Sequence, residues 1–121
     1  MAIHELQVAV REHDGVAVID LTGDVNSSAE SALNGAYAEA VSGGAAAVAL
    51  NFEAADYINS TGIALIVGLL AQARASGIEV KAFGLSSHYR EIFEITRLAD
   101  FMTITDTEAR AMGATEGNDD A

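Results

Sequence analysis

Apolar and polar positions along the chain fall into short blocks whose period switches between that of a strand and that of a helix. Residues 6–12, LQVAVRE, partly alternate, and 16–21, VAVIDL, are strongly apolar and rich in β-branched side chains. His13-Asp14-Gly15 separates the two runs. Asp-Gly between strand-like runs predicts a hairpin, because glycine supplies the positive φ of its turn. The polar TGDVN that follows reads as a loop. Ala29, Leu33, Ala36, Tyr37, Ala40 and Val41 then recur at helical spacing, predicting a helix over 29–41 that Ser42-Gly43-Gly44 ends. Ser27 or Ser28 would cap it, and Ser27 with Glu30 has capping-box spacing.

The short apolar AAAVALNF at 45–52 reads as a buried strand, followed by a loop, EAADYINS. Residues 61–76 predict a second helix closed by Ser76-Gly77, and IEVKAF at 78–83 alternates as a strand. Gly84 turns the chain, Ser86 or Ser87 caps a third helix through about Ala99, and FMTIT at 101–105 makes a last strand. EARAM allows a short C-terminal helix. The predicted order is β-β-α-β-α-β-α-β, an α/β fold with a single mixed β-sheet and helices packed against it. Residues 1–112 are expected to form this domain, and the small, acidic 113–121 a flexible tail.

Composition narrows the function classes. A chain of 121 residues suits one domain, and the absence of cysteine excludes disulfide and thiol chemistry. MAIHELQVAVREH lacks the basic region and apolar run of a secretory signal. The longest uncharged apolar run, 62–71, has ten residues, and a bilayer crossing needs about 20. A cytoplasmic protein without membrane insertion is expected. Eighteen acidic against six basic residues give a formal net charge of −12, which repels nucleic acid.

Catalytic patterns are weak. Neither GxGxxG nor GxxxxGK[ST] occurs, and His4, His13 and His88 lack metal-site spacing. Ser60, His88 and Asp56 have the residue types of a hydrolytic triad without the G-x-S-x-G turn. Asp20, Asp24 and Asp56 could gather at strand ends, but Asn26, Asn51 and Asn59 occupy neighbouring places where a divalent cation would favour charge. No enzyme, metal or cofactor is expected.

The segment 61–76 is unusual in being apolar on all sides. Ile63, Ile66, Val67 and Leu70 form one face, expected on the sheet, while Leu65 and Leu69 with Ala64 and Gly68 fall elsewhere. The surplus must be buried beneath a neighbouring helix or against a partner. Ser60 and Thr61 stand at the start of this helix, where one of them would serve as cap. A phosphate there would add nearly two negative charges beside the apolar surface, while helix N–H groups and dipole tolerate it. On these grounds the two hydroxyls are equal candidates. In the third helix Tyr89, Ile92, Phe93 and Thr96 track inward, Arg90, Glu91, Glu94 and Arg97 face out, and His88 and Arg90 could rim the patch.

YINSTGIALIVGLL resembles the central signature of STAS domains, in particular bacterial anti-sigma factor antagonists, and LTGDVNSSAESAL resembles their strand-to-helix segment. The resemblance spans about 5–112. It implies a non-catalytic protein that binds an anti-sigma factor, itself a serine/threonine kinase of the GHKL type, and so frees a sigma factor. The kinase modifies the hydroxyl before the signature glycine, and a PP2C-like phosphatase reverses the mark. Thr61 precedes Gly62 and takes that role here, with Ser60 the second choice. The implied partner surface comprises Asp24, Asn26, Asn59, Ser60, Thr61 and Gly62, extended by Leu65, Leu69, His88 and Arg90. Asn26 and Asn59 stand where the family commonly has aspartates, keeping shape and capping ability without the charge. The alternatives are an unphosphorylated STAS scaffold subunit of another signalling or transport complex, and a small-ligand or nucleotide-binding STAS module.

Overall fold

The computed structural model describes residues 5–117; His4 and the last four positions of the expected tail, 118–121, lie outside them. β1 (Gln7–His13) and β2 (Val16–Val25) form an antiparallel hairpin. β3 (Ala47–Ile58), β4 (Glu79–Phe83) and β5 (Thr103–Thr105) add in parallel, giving one mixed sheet ordered β1-β2-β3-β4-β5. The helices are α1 (Glu30–Ser42), α2 (Ser60–Ser76), α3 (Ser87–Ile95) and α4 (Glu108–Gly117). This is the element order that periodicity predicts. The hairpin turn is as tight as Asp-Gly implies, with φ of 54° at Asp14 and 82° at Gly15.

Strand alternation divides the sheet into two faces. Ala17, Ile19, Leu21, Val48 and Leu50 enter the main core beneath α1, α2 and α3, where Leu33, Ile66, Leu69 and Phe93 meet them. Val16, Val18, Ala47, Ala49 and Phe83 face the other way, onto a smaller cluster that Ala111 of α4 closes. Charged groups hold α4 there. The Arg11 guanidinium lies 2.7 Å from Asp20 and 2.7 Å from Glu108, and His13 Nδ1 lies 2.5 Å from Glu108. Lys81, buried under the helix, donates to the Ala111 carbonyl at 2.9 Å. Hydrogen bonds from Arg11 and then His13 hold the Glu108 carboxyl down at about 2.

The strands run further than periodicity suggests. TGDV (22–25) and EAADYI (53–58), expected as loops, are the paired ends of β2 and β3. Between Asp20 and Thr22 the partner advances from Asn51 to Ala54, and between Gly23 and Asp24 it advances from Ala55 to Tyr57. β3 therefore bulges twice, which breaks the alternation by which a strand is recognised. β4 covers β3 only as far as Asn51, so the end of β3 projects with β2 alone.

Two helix ends also differ. α3 stops at Ile95, short of Ala99, because Arg97 turns left-handed (φ 69°) and leads into a 3₁₀ turn, Leu98–Phe101. α4 runs Glu108–Gly117, longer than the short helix that EARAM suggests.

Candidate functional site

The projecting ends of β2 and β3 hold the start of α2. The Asn59 N–H donates to the Val25 carbonyl at 3.2 Å, and the Ile58 N–H donates to the Tyr89 hydroxyl at 3.0 Å. One bond ties the entry of α2 to β2, the other to α3. Asn59 is the N-cap: its backbone is extended, and its Oδ1 accepts the Gly62 N–H at 2.8 Å. The expectation that Ser60 or Thr61 caps the helix is thereby corrected. Both are exposed residues of the first turn, and neither hydroxyl has a hydrogen-bond partner among the described residues. The first intrahelical bond runs from Ile63 to Asn59, at 2.9 Å. The N–H groups of Ser60 and Thr61 are therefore left as outward donors at the positive end of the dipole.

The 3₁₀ turn Ser27–Ala29 that leads into α1 repeats this construction. Asn26, in place of the expected Ser27 or Ser28, is the cap, and its Oδ1 accepts from Ser28 N at 3.0 Å and Ser28 Oγ at 2.7 Å. A carboxamide oxygen does in both places what a carboxylate oxygen could do, without its charge.

Gly62 sets how α2 sits. A Cβ at this position would lie 1.9 Å from the Val25 carbonyl oxygen, so only glycine allows the helix to approach β2 this closely. That contact fixes the rotation of α2. The inward face is Gly62, Ile66, Leu69, Leu70 and Ala73, turned away from the Ile63/Val67 face that spacing suggests. Leu69, expected at the partner surface, is a core residue with 3% exposure, and Leu65 is half-buried against the core. Val67, expected inside, is 46% exposed. A helix apolar on every side has no polar stripe to reveal its phase, which is why spacing alone misplaced these residues. The outward strip is Ala64, Val67, Gly68 and Ala71, running on from Thr61.

Asp24, Asn26, Asn59, Ser60, Thr61 and Gly62 thus converge at the ends of β2 and β3, Asp24 being paired with Tyr57 across the two strands. His88 is exposed on the first turn of α3, its ring 5.0 Å from that of Tyr89, whose hydroxyl accepts the Ile58 N–H. Arg90 does not join it. Its Nη1 donates to Asp106 at 2.6 Å and its Nε lies 3.9 Å from Glu94, which turns it toward the β5–α4 loop. Spacing missed Tyr57, 54% exposed at the end of β3, and the anchoring role of Tyr89. An aromatic in a segment read as loop was the available signal for Tyr57.

The catalytic arrangements considered above do not assemble. Ser60 and His88 share no hydrogen bond among the described residues. Asp20 is taken up by Arg11 and by Asn51 Nδ2 at 2.8 Å. Among the described residues no group of three or more His, Cys, Asp or Glu could hold a metal ion, and no helix is long and apolar enough to cross a membrane.

Comparison with known proteins gives this geometry a setting. The STAS domain family model matches residues 7–111. BtrV of Bordetella bronchiseptica, named as a candidate anti-sigma factor antagonist, is 28% identical over 109 residues, 90% of this chain and 94% of BtrV. The structure of an anti-sigma factor antagonist from Mycobacterium paratuberculosis matches with a TM-score of 0.73 at 22% identity, covering 91% of this chain and 93% of that one. The anti-sigma factor antagonist SpoIIAA in its unphosphorylated form matches with a TM-score of 0.68, and Bacillus SpoIIAA in the phosphorylated form with 0.66. Both are 22% identical, cover 93% and 92% of this chain, and are themselves covered to 98% and 99%. At such identities the structural likeness is one of fold.

Proposed function

The chain belongs to the STAS domain family of non-catalytic binding modules, and from that premise we propose that it is an anti-sigma factor antagonist gated by phosphorylation of Thr61. The unphosphorylated protein binds an anti-sigma factor through the α2 entry and the strip that runs on from it, and so frees a sigma factor in the cytoplasm. The partner is a serine/threonine kinase of the GHKL type, and a PP2C-like phosphatase restores the binding form.

One observation carries this reading: Ser60 and Thr61 are exposed and released from capping duty by Asn59, at the head of an exposed apolar strip. A phosphate on Thr61 would meet the outward N–H groups and the helix dipole, so the fold tolerates it. A partner covering Ala64 and Val67 would have to desolvate that charge, so binding would weaken with little change of shape. The choice of Thr61 over Ser60 rests on the family resemblance, which implies modification of the hydroxyl directly before the signature glycine, here Gly62.

Incubation with the anti-sigma kinase and ATP, followed by phosphosite mapping, tests the proposal. Label on Thr61 supports it; label on other residues alone, or none, overturns the gating. A second reading, an unphosphorylated STAS scaffold in another complex, draws on the neutral Asn26 and Asn59 caps. Capture of permease or ATPase subunits without a kinase would favour it.

A further inference from the structure

The far end of α2 carries a further surface, which shares Val67 and Ala71 with the strip running on from Thr61 and adds the 3₁₀ turn Leu98–Phe101. Val67 and Ala71 of α2 face Leu98 and Phe101 of the 3₁₀ turn across a concavity of about 290 Å³, with Arg74 and Arg97 on its rim. The described residues leave four large apolar side chains exposed, and two of them, Val67 (46%) and Phe101 (54%), line this groove. Arg74 lies about 20 Å along the helix from Thr61 at the usual helical rise.

Two details set the groove apart from an incidental apolar patch. Arg97 holds φ 69°, a left-handed conformation that glycine takes freely and that costs an L residue energy. A large cation is thereby placed on the rim at a position where local geometry favours glycine. Arg74 sits with its Cζ 5.3 Å from the centre of the Phe101 ring, holding the aromatic side chain at the mouth of the groove.

Charge then indicates what the groove fits. Of the six Lys and Arg residues on this chain of net charge −12, Arg11 is engaged by Asp20 and Glu108, Lys81 by a helix carbonyl and Arg90 by Asp106, while Arg110 is exposed on α4 outside the groove lining. Arg97 gives its Nε to Asp100 at 2.7 Å and has both terminal nitrogens left, and Arg74 has no carboxylate partner among the described residues. The groove thus pairs apolar walls with two guanidinium groups that keep free N–H donors, on a molecule of strongly negative net charge.

We infer that this groove docks an amphipathic helical segment of a partner protein, one that offers a large apolar side chain flanked by carboxylates. The apolar side chain enters between Val67 and Phe101, and the carboxylates meet Arg74 and Arg97.

The test uses the full chain, labelled with nitrogen-15, titrated with a synthetic amphipathic helical peptide that has leucines on one face and flanking glutamates. The same peptide with lysines in place of the glutamates is the control. The glutamate peptide is expected to shift the amide signals of Val67, Ala71 and Phe101. Arg74→Gln combined with Arg97→Gly should weaken its binding at least tenfold. Arg97→Gly alone should leave the melting temperature unchanged or higher, which separates lost binding from lost folding. Thr61→Glu should bind the peptide as the wild type does, so failure here is distinguishable from failure of the phosphorylation switch. No shift of groove signals at millimolar peptide overturns the inference. So does an equal response there to the lysine peptide. Groove signals that move with protein concentration alone would assign the surface to a second copy of the chain instead.

Discussion

Gly62, Asn59 and the hydroxyls between them divide the work at the α2 entry, and each can be tested alone. Gly62→Ala places a methyl group 1.9 Å from the Val25 carbonyl oxygen, backbone that cannot swing aside. It should cost about 1–3 kcal/mol as an overpacking change, read as a lowered denaturation midpoint. Asn59→Ala removes the side-chain cap of Gly62 N–H and should cost about 1 kcal/mol. Ser60→Ala, at an exposed hydroxyl without a partner, should stay within about 0.5 kcal/mol of the wild type. If Ser60→Ala were the costly change and Asn59→Ala the neutral one, the assignment of the cap would be reversed. A pair of adjacent hydroxyls before an apolar helix was legible in the sequence. That the preceding asparagine does the capping was not, since Ser, Thr and Asn serve almost equally well and only geometry selects among them.

The elements show why some features could be read from pattern and others could not. The hairpin, α1 and β4 carry clean periodicity or turn chemistry and lie where these predict. The ends of β2 and β3 do not, because two bulges break alternation where the strands leave the cover of β4. The site is built on that projecting ribbon, so the least legible stretch is the one that positions Thr61. α4 is a different case: EARAM hinted at a helix, but its docking depends on Arg11, His13 and Asp20, distant in sequence. Here pH offers a test. With the Glu108 carboxyl held at about 2, below its ordinary 4.5, its contribution is fully present above about pH 4.5 and is lost as pH falls toward 2. Asp20, lowered chiefly by its hydrogen bond to Arg11, acts in the same sense. Denaturant unfolding followed from pH 7 to 2 should show this acid-side loss, and Arg11→Met should lower stability at neutral pH and flatten the loss. An unchanged acid limb in Arg11→Met would remove the ion cluster from the account of α4.

Across the whole molecule, fold class and family were legible because element order and the YINSTGIALIVGLL stretch reinforce each other. The proposed binding face was legible only in outline. Thr61 is exposed at the α2 entry, and the exposed strip that runs on from it is Ala64, Val67, Gly68 and Ala71, with Leu69 given to the core and Arg90 to Asp106. On the proposed reading, Thr61 and the exposed apolar strip beside it, on a surface of net negative charge, form a binding face that one added negative group can cancel. That is the central claim, and partner affinity tests it most directly. The anti-sigma factor captured with the wild-type protein should be titrated by calorimetry with wild type and with Thr61→Glu, both checked by circular dichroism. Superimposable spectra with affinity at least about a hundredfold weaker for Thr61→Glu, a loss of roughly 2.7 kcal/mol, is the predicted result; equal affinity of the two folded proteins for that partner would contradict it.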